Sequence, residues 1–179
     1  GEPFVCVSDQ VSFLYGITEQ KKIVEHFTEF FAEAALLEKQ DLLLQDKLNH
    51  ASLIEAGMLS PATMKRFRHN DIEHLEKLLE PSCLVVTEGV FSMDGDLSLL
   101  AETASLVQPE SWLAVDDAHG IGVLGPKGAG SCARAGVVPD VLIVTFGKGF
   151  GLSGAAIMCS KALGDYLTQF ARHHVYSTA

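Results

Sequence analysis

Short runs of branched apolar residues, separated by stretches of helical periodicity, constrain this chain more than any other feature. LLLQ (42–45), LVVTEGVF (84–91), WLAVDD (112–117) and VLIVTF (141–146) are each bounded by charge or glycine. Strands covered on both faces read this way, because both sides of the pleat must then be apolar. GAAIMCS (154–160) is a weaker fifth run. Between the runs lie HASLIEAGML, NDIEHLEKLLE, LSLLAETASLVQ and KALGDYLTQFARHH, which carry helical patterns. In the second of these, Asn70 is expected to cap the helix with Glu73 three residues on, and Ile72, Leu75 and Leu79 share one face. Strand and helix in turn predict an α/β fold with a mostly parallel sheet. Ligands bind such sheets beyond the carboxyl ends of the strands. Glu88, Asp116, Asp117, His119 and Lys148 all fall at or just past those ends.

Composition narrows the partners. The 179 residues amount to about one domain, with 47% hydrophobic and 20% charged side chains. Thirteen Lys and Arg against 23 Asp and Glu give a net charge of −10, which repels a phosphate backbone, so no nucleic-acid partner is expected. No run approaches the roughly 18 apolar residues of a membrane span, so no membrane partner is expected either. Cys6, Cys83, Cys132 and Cys159 are scattered without a CxxC pair and read as buried thiols in a reducing compartment. With no basic segment leading into an apolar core and a cleavage site, the expected location is cytoplasmic. Thirteen of the 16 glycines lie between Gly89 and Gly164, which directs the search for chemistry to the second half. Residues 1–34 hold five of the ten phenylalanines and most of the stretch TEQKKIVEHFTEFFAEAALLEK, where Ile23, Phe27, Phe30, Phe31 and Ala34 form a helical stripe.

Lys148 sits in TFGKGFG directly after a strand and between Gly147 and Gly149, where backbone can approach a ligand closely. A tight, partly desolvated setting there lowers a lysine pKa, and a neutral amine is the nucleophile that carbonyl chemistry needs. A phosphate loop does not fit, since Gly149 stands where that motif requires Ser or Thr. In VDDAHG, alternation sends Asp116 and Asp117 to opposite faces, so one of them at most shares the pocket. An acid beside a pyridinium nitrogen keeps such a ring an electron sink, and His119 can bond a phenolate oxygen or relay a proton. Asp117 is expected to cap the following turn instead. In TEGVFSMDGD, Glu88 and Ser92 bring an acid and a hydroxyl to the rim, while Asp94 and Asp96 read as turn residues. His50 opens a helix, and its flat ring can stack on an aromatic group. No metal is expected: Asp116, Asp117 and His119 fix no coordination geometry, and His173 and His174 diverge by about 100° on a helix.

A strand-end Asp116 and a glycine-flanked Lys148 in an α/β sheet resemble the large domain of a fold-type I pyridoxal-phosphate enzyme. LQDKLNHASLIEAG, RFRHND, VVTEGVFSMDGD, VDDAHGIGVLGPKGAGS, VTFGKGFGLSGAA and FARHHVYSTA, in this order, resemble the α-oxoamine synthases, and within them the branch that serves biotin synthesis. The resemblance runs from about Ala35 to Ala179. It implies a three-layer fold and pyridoxal 5'-phosphate as cofactor. It also implies that Lys148 carries the cofactor covalently and then acts as base at the amino acid's Cα. Asp116 would pair with the pyridine nitrogen, His119 and Ser92 with the phenolic oxygen, and Thr145 with the phosphate, while His50 would stack on the ring. Glu88 would lie near the substrate. Tyr176, Ser177 and Thr178 match a stretch that in this family reaches the partner subunit's cofactor, so a homodimer with shared sites is implied. The implied reaction is a decarboxylative condensation of L-alanine with a pimeloyl thioester, carried on CoA or on a carrier protein.

Three departures shape the expectations. Residues 1–34 do not resemble the family and are expected to form a divergent helical segment, with the cofactor-binding core over 35–179. The family's C-terminal small domain, with its carboxylate-binding arginine, is expected to be absent. A catalytically silent truncated fragment, or an interaction partner of a full-length subunit, therefore stands as an alternative. A sister synthase using glycine or serine stands as another.

Overall fold

The computed structural model of the protein describes residues 5–6, 37–107, 109–152 and 155–170. In chain order the elements are β1 (Val5–Cys6), β2 (Leu42–Asp46), α1 (Ala51–Leu59), β3 (Thr63–Phe67), α2 (Ile72–Leu78), β4 (Cys83–Glu88) and α3 (Leu100–Leu106). There follow β5 (Trp112–Asp116), a 3₁₀ turn at Pro126–Gly128, α4 (Ser131–Ala135), β6 (Val141–Thr145), β7 (Ala155–Cys159) and α5 (Lys161–Phe170). The strands make one sheet in the order β1-β7-β6-β5-β4-β2-β3. Pairings among β2 to β6 are parallel, and β7 runs antiparallel to β6 and β1.

The period of two along each strand sorts the core into two layers. Leu43, Leu84, Val86, Ala114, Val141 and Ile143 point to one face and pack with Leu53 of α1 and with Leu163 and Leu167 of α5. Their neighbours Leu42, Leu44, Cys83, Val85, Leu113 and Val115 point to the other and meet Leu75 of α2, Leu100 of α3 and Cys132 of α4. Helices thus cover both faces, which is the three-layer α/β arrangement with a mostly parallel sheet. Among the described residues no helix is long and apolar enough to cross a membrane.

All five apolar runs are strands, with shifted ends: the first extends to Asp46, the second runs from Cys83 to Glu88 and the third stops at Asp116. A further parallel strand, β3, has no such run to announce it, because TMKRF carries two cations and buries only Phe67 fully. It is an edge strand, paired to β2 alone, and charge is what a sheet edge tolerates. The short helix α4 is likewise without a sequence pattern. The α2 cap is Asp71, whose side chain accepts the His74 N–H, and not Asn70. Asn70 has φ 50° and is occupied elsewhere. Of the expected N-terminal helix, residues up to 36 lie outside the described residues.

Candidate active site

β4, β5 and β6 are neighbours that end side by side, with Glu88 in register with Asp116 and Asp116 in register with Ile143. Two residues before the strand ends, Val86, Ala114 and Ile143 face the α1 and α5 layer. Alternation therefore aims Glu88, Asp116 and Thr145 at that same layer. All three are buried.

Burial raises the Asp116 pKa, against the Ala118 N–H that its Oδ1 accepts at 2.9 Å and against the positive charges of Lys148 and His50. Burial likewise pushes Glu88 up to about 7, helped by the charge of Asp116 across the register. The backbone N–H groups of His50 and Ser92, both donating to Glu88, and the Lys148 ammonium pull the other way. Two strand-end carboxylates in adjacent register are thus held where charge is costly unless a cation arrives.

The cation lies at the next strand end. Lys148 Nζ is 2.8 Å from His119 Nε2. Burial and the charges of Lys148 and His50 lower the His119 pKa, which leaves the ring neutral at pH 7 and makes Nε2 the acceptor of a lysine N–H. Lys148 itself is exposed, so it stands at an open rim and not in the desolvated slot that its flanking glycines suggest. Gly149 has a different use: a Cβ there would stand 2.3 Å from the Ile121 carbonyl oxygen. Its bareness lets the loop after β6 touch the loop after β5, which brings Lys148 to His119.

His50 caps α1, its Nδ1 accepting the Ser52 N–H at 3.3 Å and lying 2.8 Å from Ser52 Oγ. Its ring is exposed at the same end of the sheet. Ser92 follows β4 in a loop turned by Gly95 at φ 73°. Thr145 Oγ1 is buried without a hydrogen-bond partner among the described residues. Thr178, with Tyr176, Ser177, His173 and His174, lies outside the described residues.

Asp117 goes to the opposite face, as alternation requires. It is wholly buried, and its side chain accepts the Ser131 N–H at 2.9 Å and the Ser131 hydroxyl. Its backbone carbonyl, accepting from Gly120 and Ile121, closes the turn that the sequence assigns to it. A Cβ on Gly89, Gly120 or Gly130 would approach an Asp117 carboxylate oxygen to 2.4, 2.1 or 2.1 Å, so three glycines make room for this anchor. Reading the residues in order does not find Ser131 or the cluster of Asp46, His69 and Asp96, in which His69 is 23 and 27 positions from its partners and meets them only in the fold. The one signal is RFRHND, which stands out as part of the resemblance and not for a role.

The chain is 73% identical over 146 residues to 8-amino-7-oxononanoate synthase of Vibrio cholerae, covering 80% of this chain and 38% of that protein. It is 74% identical over 148 residues to the Vibrio atlanticus synthase, covering 81% and 37%. The chain thus spans well under half the length of these curated relatives. Among solved structures, 8-amino-7-oxononanoate synthase of Francisella tularensis superposes with TM-score 0.78 at 34% identity, over 87% of this chain and 46% of that one. Serine palmitoyltransferase of S. paucimobilis, solved with a bound PLP–myriocin aldimine, superposes with TM-score 0.81 at 27% identity, over 96% and 45%. A family model described as aminotransferase class I and II matches residues 28–179. This chain belongs to the aminotransferase class I and II family.

Proposed function

We propose that this chain contributes the cofactor-holding part of a pyridoxal-phosphate-dependent synthase that condenses L-alanine with a pimeloyl thioester to 8-amino-7-oxononanoate, releasing carbon dioxide and the thiol. The observation that carries the reading is the convergence, at the adjacent ends of β5 and β6, of the Lys148–His119 pair, the buried carboxylate of Asp116 and the Thr145 hydroxyl, which has no hydrogen-bond partner among the described residues. Each has a use for one group: an amine for its aldehyde, an acid for its ring nitrogen, a hydroxyl for its phosphate. These residues fit pyridoxal phosphate. When bound, it supplies an electron sink for the charge left as a proton leaves the amino acid's Cα.

The remaining work falls to the chain's own side chains. Lys148 would hold the cofactor through Nζ, and the same Nζ, once free, would take the Cα proton of the amino acid. His119, which accepts from Lys148, would with Ser92 bond the ring's phenolic oxygen, and His50 would cover one ring face. Asp116, whose burial favours a proton or a cationic neighbour, is stabilised as a carboxylate when a protonated ring nitrogen stands against it. Glu88, poised near neutrality beside it, takes up or gives a proton on the substrate side.

Identity of 73% to the Vibrio cholerae synthase, against 27% to the serine palmitoyltransferase, favours alanine over serine. The partners in this reading are L-alanine, pimeloyl-CoA or a pimeloyl carrier protein, and a second copy of the subunit. The test is exchange of the Cα proton of L-alanine in D2O, followed by NMR with the cofactor-supplied protein. Exchange with alanine that Lys148→Ala abolishes is expected; exchange with glycine or serine in alanine's place contradicts the reading.

A further inference from the structure

A second cluster lies at the same end of the sheet, on the face away from the candidate site. Asp46 ends β2 and is 1% exposed, yet it carries a carboxyl group. It accepts the N–H groups of Leu48 at 2.8 Å and Asn70 at 3.0 Å, and its Oδ1 lies 3.0 Å from His69 Nδ1. The other ring nitrogen, His69 Nε2, is 2.5 Å from Asp96 Oδ2. Asn70 Nδ2 also lies 3.3 Å from Nε2, but its two N–H groups have Leu97 O at 3.0 Å and Asp96 Oδ2 at 3.4 Å to donate to, so each ring nitrogen is left to donate to a carboxylate, the pattern that an imidazolium makes. The buried Phe91 ring stands against it edge-on, with centroids 4.4 Å apart and planes at 89°.

The next residue extends the grip. Asn70 sits in the left-handed region at φ 50°, which a short polar side chain tolerates. Its side-chain amide donates to the Leu97 carbonyl at 3.0 Å, and its Oδ1 accepts the Leu99 N–H at 3.3 Å.

These contacts join two loops. Asp46 begins the turn that leads to His50, its carbonyl accepting the Asn49 N–H at 3.2 Å. Phe91, Asp96 and Leu97 belong to the loop that carries Ser92. That loop is closed on itself by Phe91 N–H to Asp96 at 3.0 Å, Gly95 N–H to Phe91 at 2.8 Å and Ser98 N–H to Gly89 at 3.2 Å. Glu88 ties the same two loops from the other face, through the N–H groups of His50 and Ser92.

We propose that His69 is a positioning residue, a protonated tie between Asp46 and Asp96 that holds the Ser92 loop against the His50 loop and so sets the cofactor site from behind. The tie concerns the protein alone; its effect on cofactor affinity rests on the function proposed above. The charged groups facing the ring are Asp46 from β2 and Asp96 from the loop. Beside it Arg68 and Asp71 pair at 2.7 Å, and the Arg68 N–H donates to His74. Burial alone lowers the His69 pKa, but the hydrogen bonds to Asp96 and Asp46, with their charges, outweigh it and raise the value above 6.5. A folded-state pKa raised in this way gives stabilisation that is full below about 6.5 and is lost as pH rises through the folded value. The raised Glu88 carboxyl works in the same sense, since it too holds its proton more tightly in the fold, and the His69→Gln comparison separates the two.

The experiment uses the ligand-free chain first. NMR of the imidazole nitrogens is expected to find both protonated on His69 at pH 6. Hydrogen-exchange protection of the Phe91, Gly95 and Ser98 amides, corrected for intrinsic rate, should fall about 10-fold as pH rises through that titration. In His69→Gln, which donates without titrating, the loop should be less protected at pH 6 and lack the pH step, while β4 and β5 amides stay as in wild type. The wild-type pH series alone decides if that variant does not fold. A neutral His69 ring at pH 6, or a loop profile identical in wild type and His69→Gln, overturns the proposal. A titration with pyridoxal phosphate then separates the two claims. Affinity that weakens with pH in wild type and not in the variant supports the positioning role, and equal affinity with equal pH profiles overturns it. No binding by either protein, with ring and loop titrating as stated, leaves the tie standing and removes the function proposed above.

Discussion

At the scale of residues, the site is a contest between burial and charge, and Glu88 shows which wins. Burial and the facing Asp116 raise its pKa from 4.5 to about 7. Between those values the folded chain holds a proton that the unfolded chain has released, so stability falls as pH rises through this window, by about 3 kcal/mol at most. Melting curves of wild type and Glu88→Gln from pH 4.5 to 8 check this. The variant should gain on wild type as pH rises to about 7, and parallel curves would show that Glu88 is ionised throughout. The opposite fates of Asp116 and Asp117 follow from alternation alone and are legible in the string VDDAHG itself. What Asp117 holds is not, because Ser131 lies fourteen residues on and belongs to a helix of five residues too short to leave a periodic pattern. The exposure of Lys148 differs from its glycine-framed sequence for a related reason: Gly149 serves the approach to the Ile121 carbonyl that carries Lys148 to His119, and does not enclose the amine.

At the scale of elements, the central strands buried on both faces announce themselves, and the edge strands β3 and β1 do not. Leu44, Val85 and Val115 are fully buried at the centre of the sheet, and their runs read as strands without help. β3 has Lys65 and Arg66 where a central strand would have apolar side chains, so only its pairing with β2 makes it a strand. Its anchor is Phe67, which packs with Leu42, Leu44 and Leu75. Truncation by Phe67→Ala should cost roughly 3–5 kcal/mol, as for other buried aromatics. Urea denaturation measures it, and a loss under about 1 kcal/mol would mean that the edge strand is held by its ladder alone. The shift of the α2 cap from Asn70 to Asp71 belongs here too. Both residues suit a cap, but Asn70 is already committed to Asp46 and Leu97, which leaves the next carboxylate to accept the His74 N–H.

At the scale of the whole molecule, the parallel strands gather polar residues at one end of the sheet, and they do so on both faces. One face brings together Glu88, Asp116, Thr145 and Lys148 with His119; the other brings together Asp46, His69 and Asp96. The first group is legible in the sequence because each member ends or follows a recognisable strand. The second is not, because one of its three strands is the disguised edge and the partners are distant in sequence. The central claim is that the first group holds pyridoxal phosphate through Lys148. The direct test is an absorption titration of the purified chain with that cofactor, then borohydride reduction and peptide mapping. A visible band with the reduced adduct on Lys148, absent in Lys148→Ala, is the predicted result. A folded chain that gives no band, or an adduct on another lysine, would contradict the account.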